Sequence, residues 1–282
     1  MRIFVAGATG AIGRHLVPLL VQDGHDVVGA TRTPEGVERL HAMGAQGVLL
    51  DVLDAEGVVR AVTEHRPDAV MHQLTSLAAG SPADNARIRI EGTRNLVDAA
   101  KRADVSRIVA QSISWAYRPD TGPAGEHNPL DVNAALPRAT TIGGIQALES
   151  AVAELPRHVV LRYGTLYGPG TWFAPGGLMA AKLAVGQLPA NDGVSSFVHV
   201  QDAAQAAVLA LKWPNGPVNI VDDEPAPAHA WVPVLAQALG SPSPGVSSGG
   251  AGWERGADNS LARSRGWQPE HPSWRTGFGA QG

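Results

Sequence analysis

The chain has 282 residues, of which 44% are hydrophobic and 17% are charged, and its formal net charge is -4. This charge, without any cluster of Lys or Arg, argues against a nucleic-acid partner. The complete lack of cysteine excludes disulfides, a thiol nucleophile and thiolate metal sites, and no apolar run approaches the ~20 residues that a membrane-spanning helix needs.

Short β-branched runs alternate with helical patterns over the first 164 residues. The predicted strands, in chain order, are RIFVAG, DVVGATR, GVLLDV, DAVMHQL, RIVAQSI and HVVLRYG. The predicted helices between them cover residues 11–22, 34–43, 55–65, 84–103 and 141–153. Because each parallel crossover needs a helix to return the chain, this alternation predicts an α/β fold with a Rossmann-like, doubly wound parallel sheet.

The regular alternation ends near Gly164, where the Gly/Pro loop LYGPGTWFAPGG follows. The elements predicted beyond this loop are a helix at 177–186, the strand SSFVHV, a helix from Asp202 to Leu211, the strand PVNIVD and a helix at 229–239. We expect Asp202 to be the N-cap of its helix. The stretch GSPSPGVSSGGAG is then a flexible connector.

A glycine-rich turn, GATGAIG, follows the first predicted strand and opens the first helix. Gly7, Gly10 and Gly13 let the backbone turn tightly, approach a pyrophosphate and seat the helix on the sheet. The free N–H groups at the start of that helix then bind the anion. In this strand–turn–helix context the turn predicts a dinucleotide site.

Further motifs follow in an order that resembles one family. These are LLDVLD, AVMHQLTSLA, EGTRNLVDAA, LRYGTLYGPG, SFVHVQDAAQA and NIVDDEP. From Met1 to about Trp267 the chain resembles the extended short-chain dehydrogenase/reductases, the NAD(P)-dependent epimerase/dehydratase group. The resemblance implies an NAD(P)-binding Rossmann domain at 1–165, completed by parts of 195–222. Residues 166–194 and 223–282 are then a small, mainly C-terminal substrate lobe.

The expected dinucleotide site follows from the turn and from this resemblance. Its cofactor-binding residues are Gly7, Thr9, Gly10, Ala11, Ile12, Gly13, Arg32, Asp51, Val52, Gln73, Leu74, Tyr163 and Gly164. An acidic side chain after the second strand would bind the adenosine ribose of NAD(H), but the chain has Thr31, Arg32 and Thr33 there. A guanidinium suits a 2′-phosphate, so we expect NADP(H) to be preferred over NAD(H).

The helix at 141–153 lacks the catalytic pair of the family that it resembles. That family has Tyr-x-x-x-Lys here, and alignment on Glu149 places Thr141 at the tyrosine and Ile145 at the lysine. No tyrosine of the chain is followed four residues later by lysine. A threonine hydroxyl is a far weaker acid than a phenol, and isoleucine carries no charge, so the usual proton relay is absent. Arg89 also stands where the family often has Asn.

Other polar side chains are candidates for the remaining roles. Ser112, Thr141 and Tyr163 are the candidate catalytic residues, since each carries a hydroxyl at an expected strand end or on this helix. Tyr163 could equally pack on the nicotinamide or bind the substrate. The candidate substrate-binding residues are Thr75, Ser114, Trp115, Tyr167, Trp172 and His199. The scattered histidines include no His-x-x-x-His pair, and we expect no metal site.

The sequence is compatible with three functions. The first is an NADPH-dependent reductase of a small organic metabolite, because hydride transfer to an activated alkene or imine needs less acid catalysis than ketone reduction. The second is a non-redox isomerase or cyclase with a structural cofactor, and the third is a catalytically silent NADP(H)-sensing or partner-binding protein. We expect a cytoplasmic bacterial protein, since no leader precedes the first strand and arginine far outnumbers lysine. The resemblance suggests a homodimer through the helices near 84–103 and 141–153.

Overall fold

The computed structural model describes residues 1–75, 81–242 and 244–279. The strands are β1 (Arg2–Ala6), β2 (Asp26–Thr31), β3 (Gln46–Leu49), β4 (Ala69–His72), β5 (Arg107–Ile113), β6 (Arg157–Tyr163), β7 (Thr165–Tyr167), β8 (Val194–Ser195), β9 (Phe197–His199), β10 (Gly216–Ile220) and β11 (Ala226–Pro227). The helices are α1 (Gly13–Gln22), α2 (Pro34–Ala42), α3 (Ala55–His65), α4 (Pro82–Arg87), α5 (Thr93–Arg102), α6 (Arg138–Val152), α7 (Leu178–Ala184), α8 (Val200–Ala210), α9 (Ala228–Ala238), α10 (Ser260–Ser264) and α11 (Trp274–Gly277).

The main sheet of the described residues is parallel and has seven strands in the order β10-β6-β5-β4-β1-β2-β3. The order reverses at β1, which pairs with both β2 and β4. In open α/β sheets a ligand crevice lies at such a reversal, beyond the carboxyl ends of the strands. The predicted Rossmann-like, doubly wound α/β fold is therefore confirmed.

Local sequence determines where several helices begin. Thr33 precedes Pro34 and its hydroxyl accepts a hydrogen bond from the Gly36 N–H, while the Asp54 carboxylate does the same for Gly57. These are N-caps, which satisfy backbone donors that the helix itself leaves free. Pro34 is also well placed, since the first helical position needs no backbone N–H.

The expected cap of α8 is wrong. The helix begins at Val200, two residues before Asp202, so Asp202 lies within the first turn. Its fully buried carboxylate accepts hydrogen bonds from the backbone N–H groups of Glu270 and His271 at 2.8 and 3.0 Å. A distant segment of chain thus uses the oxygens that a local cap would have used.

The helical stretch predicted at 84–103 is present but is not one regular α-helix. Between α4 and α5 lies a π-helical segment, Ile88–Gly92, in which each turn holds an extra residue. Periodicity alone does not reveal such a segment. It changes which side chains face inward, and Arg89 at its second position is only 5% exposed.

Two compact units are distinguished by their internal contacts. The first unit comprises Met1–Ser112, Val132–Leu161 and Ala204–Pro217, and the second comprises Ile113–Asp131, Arg162–Ala203 and Val218–Gly282. Each has its own apolar core. The first core contains Phe4, Val28, Val70, Leu96, Ile108, Leu148 and Val160, and the second contains Tyr167, Phe173, Phe197, Trp231, Trp274 and Phe278. The predicted division into cofactor and substrate parts stays a prediction.

None of the helices in the described parts of the chain has the length and apolar character that a membrane span requires.

Candidate functional site

The glycine turn between β1 and α1 requires glycine on steric grounds. Gly7 has φ +87°, and a Cβ there would lie 2.6 Å from the Gln73 carbonyl oxygen. A Cβ on Gly13 would lie 2.2 Å from the Gly7 oxygen. The Gly10 N–H donates to the Gly7 carbonyl at 3.1 Å, which closes the turn. Backbone approaches of this kind leave room for a ligand phosphate but not for side chains.

The start of α1 offers an anion-binding end. Its N-cap, Ile12, is buried and has no side-chain hydrogen bond to cap the helix. The N–H groups of Arg14 and His15 already donate to the Gly10 and Ile12 carbonyls at 3.1 and 3.0 Å, so it is the positive end of the helix dipole that attracts negative charge here. Thr9 lies in the same turn, where its hydroxyl oxygen is 3.3 Å from that of Thr31 at the end of β2.

Gln73, just beyond β4, supports a polar ligand at this turn. The residue is 6% exposed and its backbone N–H donates to the Ala6 carbonyl at 2.8 Å. Neither atom of its side-chain amide has a hydrogen-bond partner among the described residues. A buried amide without a partner is costly, and a dinucleotide carries hydroxyls and phosphate oxygens that would satisfy it. The residues of the turn therefore fit a pyridine dinucleotide, a group whose reduced form is a hydride donor.

The expected adenosine-side residues also belong to the first unit. Arg32 follows β2 and is exposed. Asp51, beyond β3, is exposed and accepts the Leu53 N–H at 3.0 Å, whereas Val52 is buried and its carbonyl accepts the side-chain amide of Asn95 at 2.8 Å. The motif AVMHQLTSLA ends at residues 76–78, outside the described residues. Thr75, the last described residue before them, is exposed.

His72 is a structural histidine. It is fully buried at the end of β4, with Nε2 2.8 Å from the Thr93 hydroxyl and Nδ1 accepting the Leu74 N–H at 3.3 Å. Burial, aided by the nearby positive charge of Arg89, lowers the pKa of His72 to about 4. Its neutral ring positions the backbone of Leu74, and both of its nitrogens are engaged.

Helix α6 carries the positions that align with the proton relay of the family. Thr141 is half-buried and Ile145 is fully buried against the first unit. Ser112, 3% exposed near the end of β5, donates a 2.7 Å hydrogen bond to Glu149 Oε1. The Ser112 hydroxyl therefore already has an acceptor on α6, and the catalytic roles of Ser112 and Thr141 stay predictions.

Tyr163 ends β6 and lies in the second unit. Its ring is 2% exposed and its hydroxyl donates to the Ala203 carbonyl at 3.2 Å, while its own carbonyl accepts the Ser114 N–H at 2.9 Å. Gly164 next to it donates its N–H to the Ile220 carbonyl at 3.0 Å. These contacts fix the residue firmly, and its assignment to catalysis or to cofactor binding stays a prediction.

Three further candidates lie in or beside the aromatic core of the second unit. Tyr167 is fully buried and its ring meets that of His199 edge-on at 5.1 Å, while Trp172 packs on the same core. Burial and the negative charges of Asp222 and Asp202 raise the pKa of the Tyr167 phenol, which keeps it protonated. Their substrate-binding roles stay predictions.

His199 belongs to a cluster of three possible metal ligands. The ligand atoms of His199, Asp202 and His271 lie within 4.8 Å of one another. The rings of the two histidines are stacked at 3.8 Å, and His271 Nδ1 is 3.1 Å from an Asp202 oxygen. Together with its two backbone bonds, Asp202 thus has three partners from the chain itself. The expectation that the protein binds no metal stays a prediction.

A cavity of about 200 Å³ lies within the second unit. Its lining is made by Ser114, Trp115, Thr165, Val194, Ser195, Ser196, Trp253, Glu254 and Gly256. Ser114 and Trp115 are predicted substrate residues, and the structure brings them together. Trp253 and Glu254 were not predicted, although an indole beside a carboxylate in the Gly-rich stretch AGWERG was a visible sign. The indole rings of Trp115 and Trp253 are 6.1 Å apart and tilted by 42°.

Comparison with known proteins identifies the family of the chain. The model of the NAD dependent epimerase/dehydratase family matches residues 3–221. A 3-diazoavenalumate denitrifying reductase from Streptomyces sp. is 43% identical over the whole of both chains. A UDP-glucose 4-epimerase from Thermus thermophilus, solved with NAD, is 26% identical with a TM-score of 0.77, covering 100% of this chain and 97% of its own. The enzyme WbmH from Bordetella bronchiseptica, solved with NAD+, shares the fold at 21% identity and a TM-score of 0.80, covering 99% and 96%. The chain therefore belongs to the NAD-dependent epimerase/dehydratase family.

Proposed function

We propose that the protein is an NADPH-dependent reductase that removes dinitrogen from an aromatic diazo compound. The observation that carries this proposal is the 43% identity, over the full length of both chains, to a reductase named for denitrifying a diazo substrate. The glycine turn, the N-terminal end of α1 and the amide of Gln73, which has no partner among the described residues, support the dinucleotide site that such a reaction needs.

The chemistry balances without a proton from the protein. Hydride adds to the terminal nitrogen of an arenediazonium ion, and the aryl diazene Ar–N=N–H is formed. The N–H proton then leaves and its electron pair forms the third bond of dinitrogen, while the pair of the broken carbon–nitrogen bond stays on the ring carbon and takes up a proton. The proton lost from nitrogen and the proton gained by carbon cancel, so no net proton is needed. One hydride is consumed for each dinitrogen that is released.

This balance accounts for the residues on α6. Reduction of a ketone produces an alkoxide, which needs an acid, and epimerases and dehydratases must first deprotonate an alcohol. Addition of hydride to a diazonium ion needs neither. Thr141 and the fully buried Ile145 are therefore compatible with the reaction, whereas they could not perform the proton transfers of a Tyr-x-x-x-Lys pair.

The cavity of the second unit is suited to an aryl group. Trp115 and Trp253 both line the cavity, and indole rings favour contact with a flat aromatic ring and with a positive charge on it. Glu254 also lines the cavity and adds a carboxylate, whose Oε2 accepts the Ala251 N–H at 2.6 Å. We assign this cavity to the substrate.

The preference for NADP(H) is part of the proposal. The two residues directly after β2 are Arg32 and Thr33 and carry no carboxylate; Arg32 is exposed, and the hydroxyls of Thr31 and Thr9 lie close together. A guanidinium at that position would form charge-assisted hydrogen bonds with a 2′-phosphate. A homodimer through the helices near 84–103 and 141–153, in the cytoplasm of a bacterium, completes the proposal.

The test is a turnover assay with 3-diazoavenalumate and with benzenediazonium as a simpler probe. NADPH oxidation is followed by absorbance, ¹⁵N-labelled dinitrogen by mass spectrometry and the arene by chromatography. We expect one NADPH consumed for each dinitrogen and each arene. NADPH deuterated at C4 on the transferred face should slow a single turnover by about the two- to sevenfold of a primary isotope effect, and deuterium on the other face should not.

The outcomes separate the three functions considered above. Conversion of a substrate without net consumption of NADPH would support an isomerase or cyclase and exclude the reductase. Binding of NADPH without any turnover of either diazo compound would favour a sensing protein. The substitution Gly143→Ala, on an exposed site of α6, serves as a control that should leave turnover unchanged.

A further inference from the structure

Arg89 is a buried cation that has no role in the proposed reaction. It lies at the second position of the π-helical segment and is 5% exposed. Its neighbour Arg87 is exposed and forms an ion pair with Glu91, with Nε 3.0 Å from Oε2. Two arginines only two residues apart thus have opposite environments.

The Arg89 guanidinium has no hydrogen bond or ion pair with any residue in the described parts of the chain. Burial lowers the pKa of Arg89 to about 10, which leaves it charged at neutral pH. A guanidinium carries five N–H donors, and a buried charge without acceptors is strongly unfavourable. The site therefore calls for a ligand that supplies oxygen atoms or negative charge.

The Arg89 side chain lies beside the part of α6 where this chain has no lysine at the position at which the family has one. A Cβ on Gly144 would lie 3.5 Å from Arg89 Cδ, so glycine leaves the guanidinium stem room on that helix. The next residue, Ile145, stands at the lysine position and is fully buried and apolar. The arginine also lies close enough to lower the pKa of His72, at the end of β4. A cation thus approaches α6 from a neighbouring helix, where α6 itself provides none.

We propose that Arg89 binds the nicotinamide half of the dinucleotide, donating hydrogen bonds to its ribose hydroxyl and phosphate oxygens in place of the missing lysine. The inference rests only on the cofactor part of the proposed function and not on the diazo substrate. His72, Arg89 and α6 all belong to the first unit, as does the glycine turn, and β4 pairs directly with β1. The cofactor then supplies acceptors that no described residue gives to this charge.

Calorimetry with the purified protein tests this assignment without any substrate. Its probes are NADPH and 2′,5′-ADP, a fragment that lacks the nicotinamide half. We expect Arg89→Gln to weaken NADPH binding about ten- to a hundredfold, the range for loss of charged hydrogen bonds, and to change 2′,5′-ADP binding less than about twofold. Arg89→Lys should recover part of the affinity. Arg87→Gln, on the same helical stretch, should change neither.

Stability of the free protein provides the second readout. Because Arg89→Gln removes an uncompensated buried charge, the urea midpoint of the ligand-free protein should stay the same or rise. A lower midpoint, or failure of this variant to fold, would show a structural role and overturn the proposal. Unchanged NADPH affinity in both variants would also overturn it, and a raised KM for a carboxylate-bearing diazo compound would then assign Arg89 to the substrate. Failure of diazo turnover would leave these binding results intact.

Discussion

Arg32 is the residue that we expect to select between the two pyridine dinucleotides. It is exposed directly after β2, so its guanidinium can reach a ligand phosphate without displacing any part of the fold. Under the proposed preference for NADP(H), we expect the charge of this side chain to select the cofactor.

Arg32→Asp should therefore reverse the preference. We expect the Kd of NADPH to rise about ten- to a hundredfold, because a charged hydrogen bond is lost and a carboxylate repels the 2′-phosphate. The Kd of NADH should change less than about threefold or fall, since aspartate can accept hydrogen bonds from the ribose hydroxyls. Both constants are measured by fluorescence titration. Arg39→Asp, on the exposed face of α2, is the control, and equal losses for both dinucleotides would contradict the assignment.

Single residues of the site were predictable to the extent that backbone geometry dictates them. Gly7 and Gly13 were identified because only glycine fits such a turn, and the structure shows the close approaches. The burial of Arg89 was not predictable, because it depends on a π-helical segment. Trp253 lies far along the chain from Trp115, and only the folded chain brings the two rings together.

At the scale of elements, the junction of β1 and α1 is the most constrained part of the site. The backbone of Gly13 passes so close to the carbonyls of Gly7 and Ala8 that even one methyl group would collide with both, at 2.2 and 2.5 Å. These neighbours are backbone atoms of the same turn, so relief would require the turn itself to open.

Gly13→Ala should consequently abolish high-affinity dinucleotide binding. We expect the Kd of NADPH to rise at least about tenfold and the protein to lose about 1–3 kcal/mol of stability, typical of overpacking at a close contact. Gly143→Ala is the matched control. Its Cβ would meet nothing within 4 Å on the exposed face of α6, so helix propensity should stabilise the protein by about 0.5–1 kcal/mol. Urea unfolding and calorimetry report both effects, and normal binding by Gly13→Ala would refute the steric argument.

Most elements of the first unit were predictable because their apolar periodicity and their caps agree. The strand β5 matches its predicted range, and α3 begins and ends where expected. Predictions failed where tertiary contacts compete with local patterns. The sequence predicts that Asp202 caps a helix. In the structure, however, its carboxylate accepts hydrogen bonds from the backbone N–H groups of Glu270 and His271. No local rule could foresee that contact across 68 residues.

At the scale of the whole molecule, the second unit contains a buried acid that makes stability depend on pH. Asp222 is 2% exposed, and its two oxygens accept the N–H groups of Trp274 and Glu224. Burial outweighs these bonds and raises the pKa of Asp222 to about 8. In the unfolded chain the pKa of an aspartate is about 3.9, a typical value. The folded protein therefore holds its proton across a wide range of pH.

Because the folded pKa is the higher one, the stabilisation is complete below about pH 4 and disappears as the pH rises to about 8. The free energy of unfolding of the wild-type protein, relative to Asp222→Asn, should fall between about pH 5 and 8. Its slope should approach about 1.4 kcal/mol per pH unit, the value for one proton. Urea unfolding at several pH values measures it. The same difference taken with Asp104→Asn, an exposed site, should stay flat, and a flat result for Asp222→Asn would contradict the prediction.

The π-helical segment at Ile88–Gly92 makes the number of residues as important as their identity. A regular α-helix advances about 100° for each residue, so removal of one residue here would close the segment and rotate α4 by roughly that angle relative to α5. Arg87 and Arg89 could then not both keep their present surroundings, one in water and one inside the protein. Natural variants of this chain should thus tolerate replacement along this stretch far better than insertion or deletion.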